Sequence, residues 1–187
     1  MRRASARRLW LLGVLLAASP AAAQTGPGLF SGQATGHVGV ATGTNGRGST
    51  VSLGASVSVV DGSGWGAELD FGYADDDNGR TGGLDVQSYM LNVIGIRPKG
   101  RVRPFVVAGG GVVRARTCAG ECPETRAWTD WGVSAGGGVQ YRLTPVAALR
   151  ADVRYLAAPA DHPEPERVGG FGFWRVAVGA TFLWSEP

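Results

Sequence analysis

Between Trp174 and Trp184 apolar and other residues alternate strictly along the chain. Trp174, Val176, Val178, Ala180, Phe182 and Trp184 share one face, and Arg175, Ala177, Gly179, Thr181 and Leu183 share the other. Strand side chains alternate with period two, so this stretch predicts a strand with one wholly apolar face. That face is as tall as a bilayer's hydrocarbon layer and ends in Trp, the residue that favours the headgroup level. The pattern therefore predicts a strand in lipid. A soluble sheet, or an exported lipocalin-type barrel, would carry polar residues outside and apolar ones within.

Seven earlier segments alternate in the same way, at about 29–41, 49–60, 64–74, 84–96, 102–115, 129–142 and 146–156. The second is the cleanest, with Val51, Leu53, Ala55, Val57 and Val59 against Ser52, Gly54, Ser56 and Ser58. The third sets Trp65, Ala67, Leu69, Phe71 and Tyr73 against Gly66, Glu68, Asp70 and Gly72. In the fourth, Tyr89, Leu91 and Val93 face away from Ser88, Met90 and Asn92, although Met90 and Ile94 blur the register. For the fifth, Phe105, Val107 and Val113 are assigned outward and Val106, Ala108, Gly110 and Arg114 inward. The sixth and seventh put Trp131, Val133, Val139, Tyr141, Leu149, Val153 and Tyr155 outward.

The connections alternate in length. Residues 42–48, 75–83, 116–128 and 157–169 form longer links, and 61–63, 97–101 and 143–145 form short ones. Short turns at one end and long loops at the other predict an all-β fold: an eight-stranded antiparallel up-and-down transmembrane β-barrel. Its turns are expected in the periplasm and its loops outside the cell. Closing the last strand on the first removes the free edges that lipid cannot satisfy.

With that topology the outward aromatics gather at two depths. Phe30, Trp65, Phe105, Tyr141, Phe182 and Trp184 fall at the turn end, and Tyr73, Trp131, Tyr155 and Trp174 at the loop end. Trp131 and Tyr141 lie ten residues apart. That is ~34 Å along a strand, or ~26 Å of height at a tilt of ~40°, close to the ~25 Å apolar band of such barrels.

The inward set is charged. Glu68, Asp70 and Asp152 are expected to pair with Arg114, Arg142, Arg150, Arg154 and Arg175 in a lumen ionic network. An eight-stranded barrel encloses little beyond its own side chains, and an unpaired buried charge costs several kcal/mol. Arg outnumbers acid, so water, Gln33 or Gln140 must share the donors. The network is read as tube filling, with a narrow anion-leaning pathway as the alternative.

Residues 1–23 look like a signal peptide. Arg2, Arg3, Arg7 and Arg8 precede an apolar run, Leu9 to Ala18, and then Ser19-Pro20-Ala21-Ala22-Ala23. This leaves residues 24–187 as one domain. Removing the segment takes four of the 18 basic residues, leaving 14 against 15 acids, a net charge of −1. The basic pI then gives no reason to expect nucleic-acid binding. No run of ~18 apolar residues follows, so no transmembrane helix is expected.

Cys118 and Cys122 are expected to form a disulfide that stiffens one loop. No ligand cluster predicts a metal or cofactor. Asp75-Asp76-Asp77-Asn78-Gly79 lacks the later Glu of a calcium loop and is read as a solvated acidic loop. Arg97, Lys99, Arg101 and Arg103 crowd one turn, where they could touch anionic headgroups. His37 and His162 are the only histidines, and neither stands in a readable Ser–His–carboxylate set, so no catalytic residue is assigned.

Three segments carry a family likeness: Pro104–Val112, Gly136–Leu143 and Ala148–Tyr155. They resemble the outer-membrane β-barrel domain family, the small eight-stranded barrels of OmpA and OmpX type. The resemblance covers nearly all of residues 24–187. It implies insertion by the barrel-assembly machinery, which reads an aromatic-ended last strand. It carries no shared catalytic residues. The expectation is a monomeric, non-enzymatic outer-membrane protein, surrounded by membrane lipid and lipopolysaccharide. Its loops serve envelope structure or an unidentified surface ligand. A small-solute channel and a lipid A-modifying enzyme are the alternatives.

Overall fold

The computed structural model describes residues 30–43, 49–75, 84–118, 125–158 and 171–185. They form β1 (Phe30–Gly43), β2 (Ser49–Asp61), β3 (Trp65–Asp75), β4 (Leu84–Ile96), β5 (Val102–Cys118), β6 (Thr125–Arg142), β7 (Ala147–Ala158) and β8 (Phe171–Ser185). Each strand pairs antiparallel with the next, and β8 returns to β1 to close the barrel. The closing register sets His37 against Gly179 and Val40 against Val176. Every strand thus has a neighbour on both sides, which satisfies the backbone in a solvent that offers no hydrogen bonds.

The three described turns are tight. At the end of β2 the Asp61 carboxylate accepts from the Ser63 hydroxyl at 2.5 Å and from the Ser63 and Trp65 backbone N–H groups at 2.8 and 3.1 Å. These bonds, the Ser63 hydroxyl first, hold Asp61 below the usual carboxylate range. Gly64 follows at φ +96°, a left-handed conformation suited to glycine, and its carbonyl accepts from Ile96 N–H at 2.7 Å. In the turn before β7, the N–H groups of Leu143 and Thr144 both donate to the Ala147 carbonyl, at 2.9 and 3.0 Å.

The exterior is apolar. Val51, Leu69, Leu91, Val106, Val178 and Phe182 are all exposed, with Val178 at 59%. The interior is mixed, holding Glu68, Asp70, Arg150, Asp152, Arg154 and Arg175 buried beside Ile94, Phe105 and Leu156. This is the inverse of a soluble protein.

The structure reverses the phase expected for β5. Val106 faces out, while Phe105, Val107 and Val113 are buried in the lumen. Two expectations fall with it: Phe105 is not a girdle residue, and Arg114 is exposed on the outside rather than joined to the lumen charges. The cause lies in the neighbouring strands. Phe105 stands opposite Ile96, and Val107 opposite Ile94. Directly opposed residues of an antiparallel pair share a face. Pro104–Val113 is apolar on both faces, and Arg103 and Arg114 fall on opposite ones, so the alternation of β5 could not choose between them.

Candidate functional site

Glu68 and Asp70 project into the lumen from β3. Arg150, Asp152 and Arg154 project from β7, and Arg175 from β8. In an eight-membered ring β3 and β7 are diametrically opposed, so their ion pairs tie opposite walls together. Glu68 Oε2 accepts from Arg150 Nη2 at 2.8 Å, and Oε1 accepts from Arg154 Nη1 at 2.8 Å. Arg175 Nη2 donates to both Asp70 oxygens, at 2.9 and 3.0 Å. Arg154 Nη1 also lies 3.5 Å from Asp70. Asp152 Oδ2 takes Arg150 Nε and Arg154 Nη2, each at 3.3 Å. Three guanidiniums thus meet three carboxylates, a balance that a buried cluster requires.

Neutral groups extend the layer. Asn92 Nδ2 donates to Glu68 Oε1 at 3.5 Å, and Ser134 Oγ donates to Asn92 Oδ1 at 2.6 Å. The expected help from Gln33 and Gln140 goes elsewhere. Gln140 Nε2 donates to Gln33 Oε1 at 2.9 Å, while Arg103 Nη1 donates to Gln140 Oε1 at 3.2 Å. Arg103 Nε also holds the Arg97 carbonyl at 2.9 Å. Arg103 therefore leaves the basic turn for the lumen, while Arg97, Lys99 and Arg101 stay exposed. Arg142 does not join the six-group layer. It is half-buried at the turn end and makes no ion pair with another described residue.

Apolar side chains pack on both sides of this layer. Val60, Ile94, Ile96, Phe105 and Val107 pack together toward the turns. Val86, Met90, Val113, Ala115 and Leu156 pack toward the loops, with Phe173 against them. The ionic layer lies between two apolar clusters, and Arg150 stacks on the Phe105 ring at 4.1 Å, joining the lower pair. Sequence reasoning missed these clusters because it placed small residues and glycine between the charges. Gly138 shows where glycine does matter: a Cβ there would stand 2.8 Å from the Asp152 Cβ.

Outside, Trp65, Tyr141 and Trp184 lie at the turn end, and Tyr73, Trp131, Tyr155 and Trp174 at the loop end. Tyr155 and Trp174 pack at 5.0 Å, and Phe182 and Trp184 at 6.0 Å. The Trp184 indole lies flat over Gly32, where a Cβ would stand 1.9 Å from its Nε1. Residues 1–23, Cys122, the Cys118 side chain, His162 and the acidic stretch after Asp75 lie outside the described residues. The expected signal peptide and disulfide lie there with them.

A closed sheet with an apolar exterior, two aromatic rims and a charged interior defines a transmembrane β-barrel. Residues 9–182 match the family model described as outer membrane protein beta-barrel domain. The chain belongs to that family, whose location is the outer membrane. Among solved structures it is similar to the Neisserial surface protein A (NspA), at 19% identity and a TM-score of 0.66, with 82% of this chain and 96% of that one covered. It is also similar to the N-terminal β-barrel domain of Pseudomonas aeruginosa OprF, at 16% identity and a TM-score of 0.57, covering 82% and 97%. The attachment invasion locus protein Ail of Yersinia pestis is similar at 14% identity and a TM-score of 0.54, covering 84% and 99%. Such likenesses show the fold. No protein of curated function matches the chain.

Proposed function

We propose that this protein is a non-enzymatic, monomeric outer-membrane barrel that serves envelope structure or surface contact through its loops. Residues 1–23 direct export, the barrel-assembly machinery inserts the barrel, and the loops face outward with both ends of the chain in the periplasm. The observation that carries this reading is the filled lumen, with a balanced ionic layer between two apolar clusters. Refolded protein in a planar bilayer is expected to give no steady conductance, and a steady open state would overturn the filled tube. Limited protease digestion of intact cells tests the outward loops.

One observation favours a second reading, a narrow anion-leaning channel. Arg103 and Arg142 stand on the lumen side at the turn end, below the three carboxylates. That reading requires a conductance that prefers anions and loses the preference in Arg103→Gln. For lipid A modification, His37 is the sole histidine among the described residues, and it is enclosed in the lumen away from lipid. Mass spectrometry of lipid A with and without the protein separates this third activity from the other two.

A further inference from the structure

The correction to β5 leaves Arg114 on the outer wall. It is exposed near the loop end, and no other described residue forms an ion pair with it. Its cross-strand neighbours are the uncharged Gln87 and Thr129. Two residues nearer the turns on the same face is Val112, and two further is Gly110. Two residues nearer the loops on the same face is Arg116, opposite Asp85, and an exposed guanidinium at the membrane border is in reach of anionic headgroups.

Below Arg114 the wall is hollowed. A groove of about 580 Å³ is lined by Leu69, Phe71, Tyr89, Leu91, Gly110 and Trp131, among others. Its cause is local. In one row across the barrel Phe71, Tyr89, Val112 and Trp131 stand side by side, and in the next row Gly110 sits between Leu91 and Val133. Tall side chains on β4 and β6 thus flank a strand that offers only hydrogen at Gly110. Phe71 and Tyr89 pack together at 5.2 Å, and past them the groove reaches Ala55 and Val57 on β2, with Trp131 at its other end. The groove crosses the outer wall from β2 to β6 at the level of these two rows, about midway along β5 and below Arg114.

We infer that Arg114 and the groove beneath it bind one phosphorylated, acylated lipid of the outer leaflet, lipopolysaccharide, through its lipid A part. Arg114 takes a lipid A phosphate, and one acyl chain lies over Gly110 between Tyr89 and Trp131. From Arg114 to Val112 is ~7 Å along the strand, which sets the cation at headgroup level above the acyl region. The inference rests on the loop end facing outward, as proposed above. Protease digestion of intact cells tests that orientation by itself, so failure of one is distinguishable from failure of the other.

The test is native mass spectrometry of the full barrel in detergent. The probes are bis-phosphorylated hexa-acylated lipid A, the same lipid after phosphate removal, and phosphatidylglycerol. The wild type should hold phosphorylated lipid A about tenfold more tightly than the dephosphorylated form, the range of a charge-assisted contact. Arg114→Gln should abolish that preference, while Gly110→Leu should weaken both lipid A forms alike. A Cβ at Gly110 meets only the Gly132 carbonyl, at 3.4 Å, so the groove can be filled without forcing the backbone. Lys99→Gln, at the other rim, should change nothing. Folding of each variant is read from heat-modifiable gel mobility, and Arg114→Gln alone decides the matter if Gly110→Leu does not fold. Equal retention of phosphatidylglycerol and lipid A by the wild type would overturn the inference. So would a phosphate preference that survives in Arg114→Gln.

Discussion

Arg154 Nη1 lies 2.8 Å from Glu68 Oε1, and both side chains are 1% exposed or less. The pair joins strands 86 residues apart and spans the lumen. Arg154 also reaches Asp70 and Asp152, so one guanidinium holds carboxylates from opposite walls.

Removing that guanidinium leaves three enclosed carboxylates to two guanidiniums, Arg150 and Arg175. Arg154→Met is expected to lower the unfolding free energy in detergent by about 3–5 kcal/mol, the usual cost of breaking a buried pair from one side. Urea titration followed by heat-modifiable mobility measures it. A loss under 1 kcal/mol would mean that water, rather than Arg154, neutralises the layer.

Phe105 and Val106 test the phase of β5. Phe105→Ala opens a cavity in the turn-end apolar cluster and should cost about 3–5 kcal/mol. Val106→Ala faces lipid, leaves no cavity, and should cost about 1–1.5 kcal/mol. The same titration compares them, and the opposite order would restore the sequence-based phase.

The lipid face should reject charge according to depth. Val178, midway along β8, is exposed to the apolar belt, and Val178→Arg should destabilise by about 2–4 kcal/mol. The native Arg114, near the loop-end border, belongs to the region where the cost is about 0–1 kcal/mol. Folding yield into lipid vesicles across the two positions checks the gradient.

Asp61 gives the turn end an acid-sensitive latch. Its folded carboxyl titrates below the ordinary value of 3.8 because the Ser63 hydroxyl and backbone N–H groups bond its ionised form. A lowered folded value means the stabilisation is complete above the unfolded pKa and disappears as pH falls through the folded one. Stability should therefore decline below pH ~4, and Asp61→Asn should flatten that decline. Urea midpoints at pH 6 and pH 3 for the two proteins provide the measurement.

Much of the barrel was legible along the chain. Where one face of a strand is apolar and the other polar, as in Val51–Val59 or Leu149–Tyr155, a one-residue slip would turn charge into lipid. The alternation therefore fixes which way each side chain points. That reasoning placed Glu68, Asp70, Arg150, Asp152, Arg154 and Arg175 on the inner wall, where the structure brings them together. It could not choose their partners, since Arg150 and Glu68 meet only after closure brings the third and seventh strands face to face.

By itself, then, the sequence determined eight crossings, their antiparallel order, the aromatic rims and a charged interior, because each follows from a period of two within one segment. Tertiary structure alone decided the phase of β5, and with it the inward Phe105, the outward Arg114 and the two apolar clusters. Pro104–Val113 is apolar on both faces, and Arg103 and Arg114 lie on opposite ones, so either setting turns one arginine outward and lipid does not discriminate between them. What selects one is the pairing of Phe105 with Ile96 and of Arg103 with Gln140, contacts to neighbouring strands that no local pattern contains.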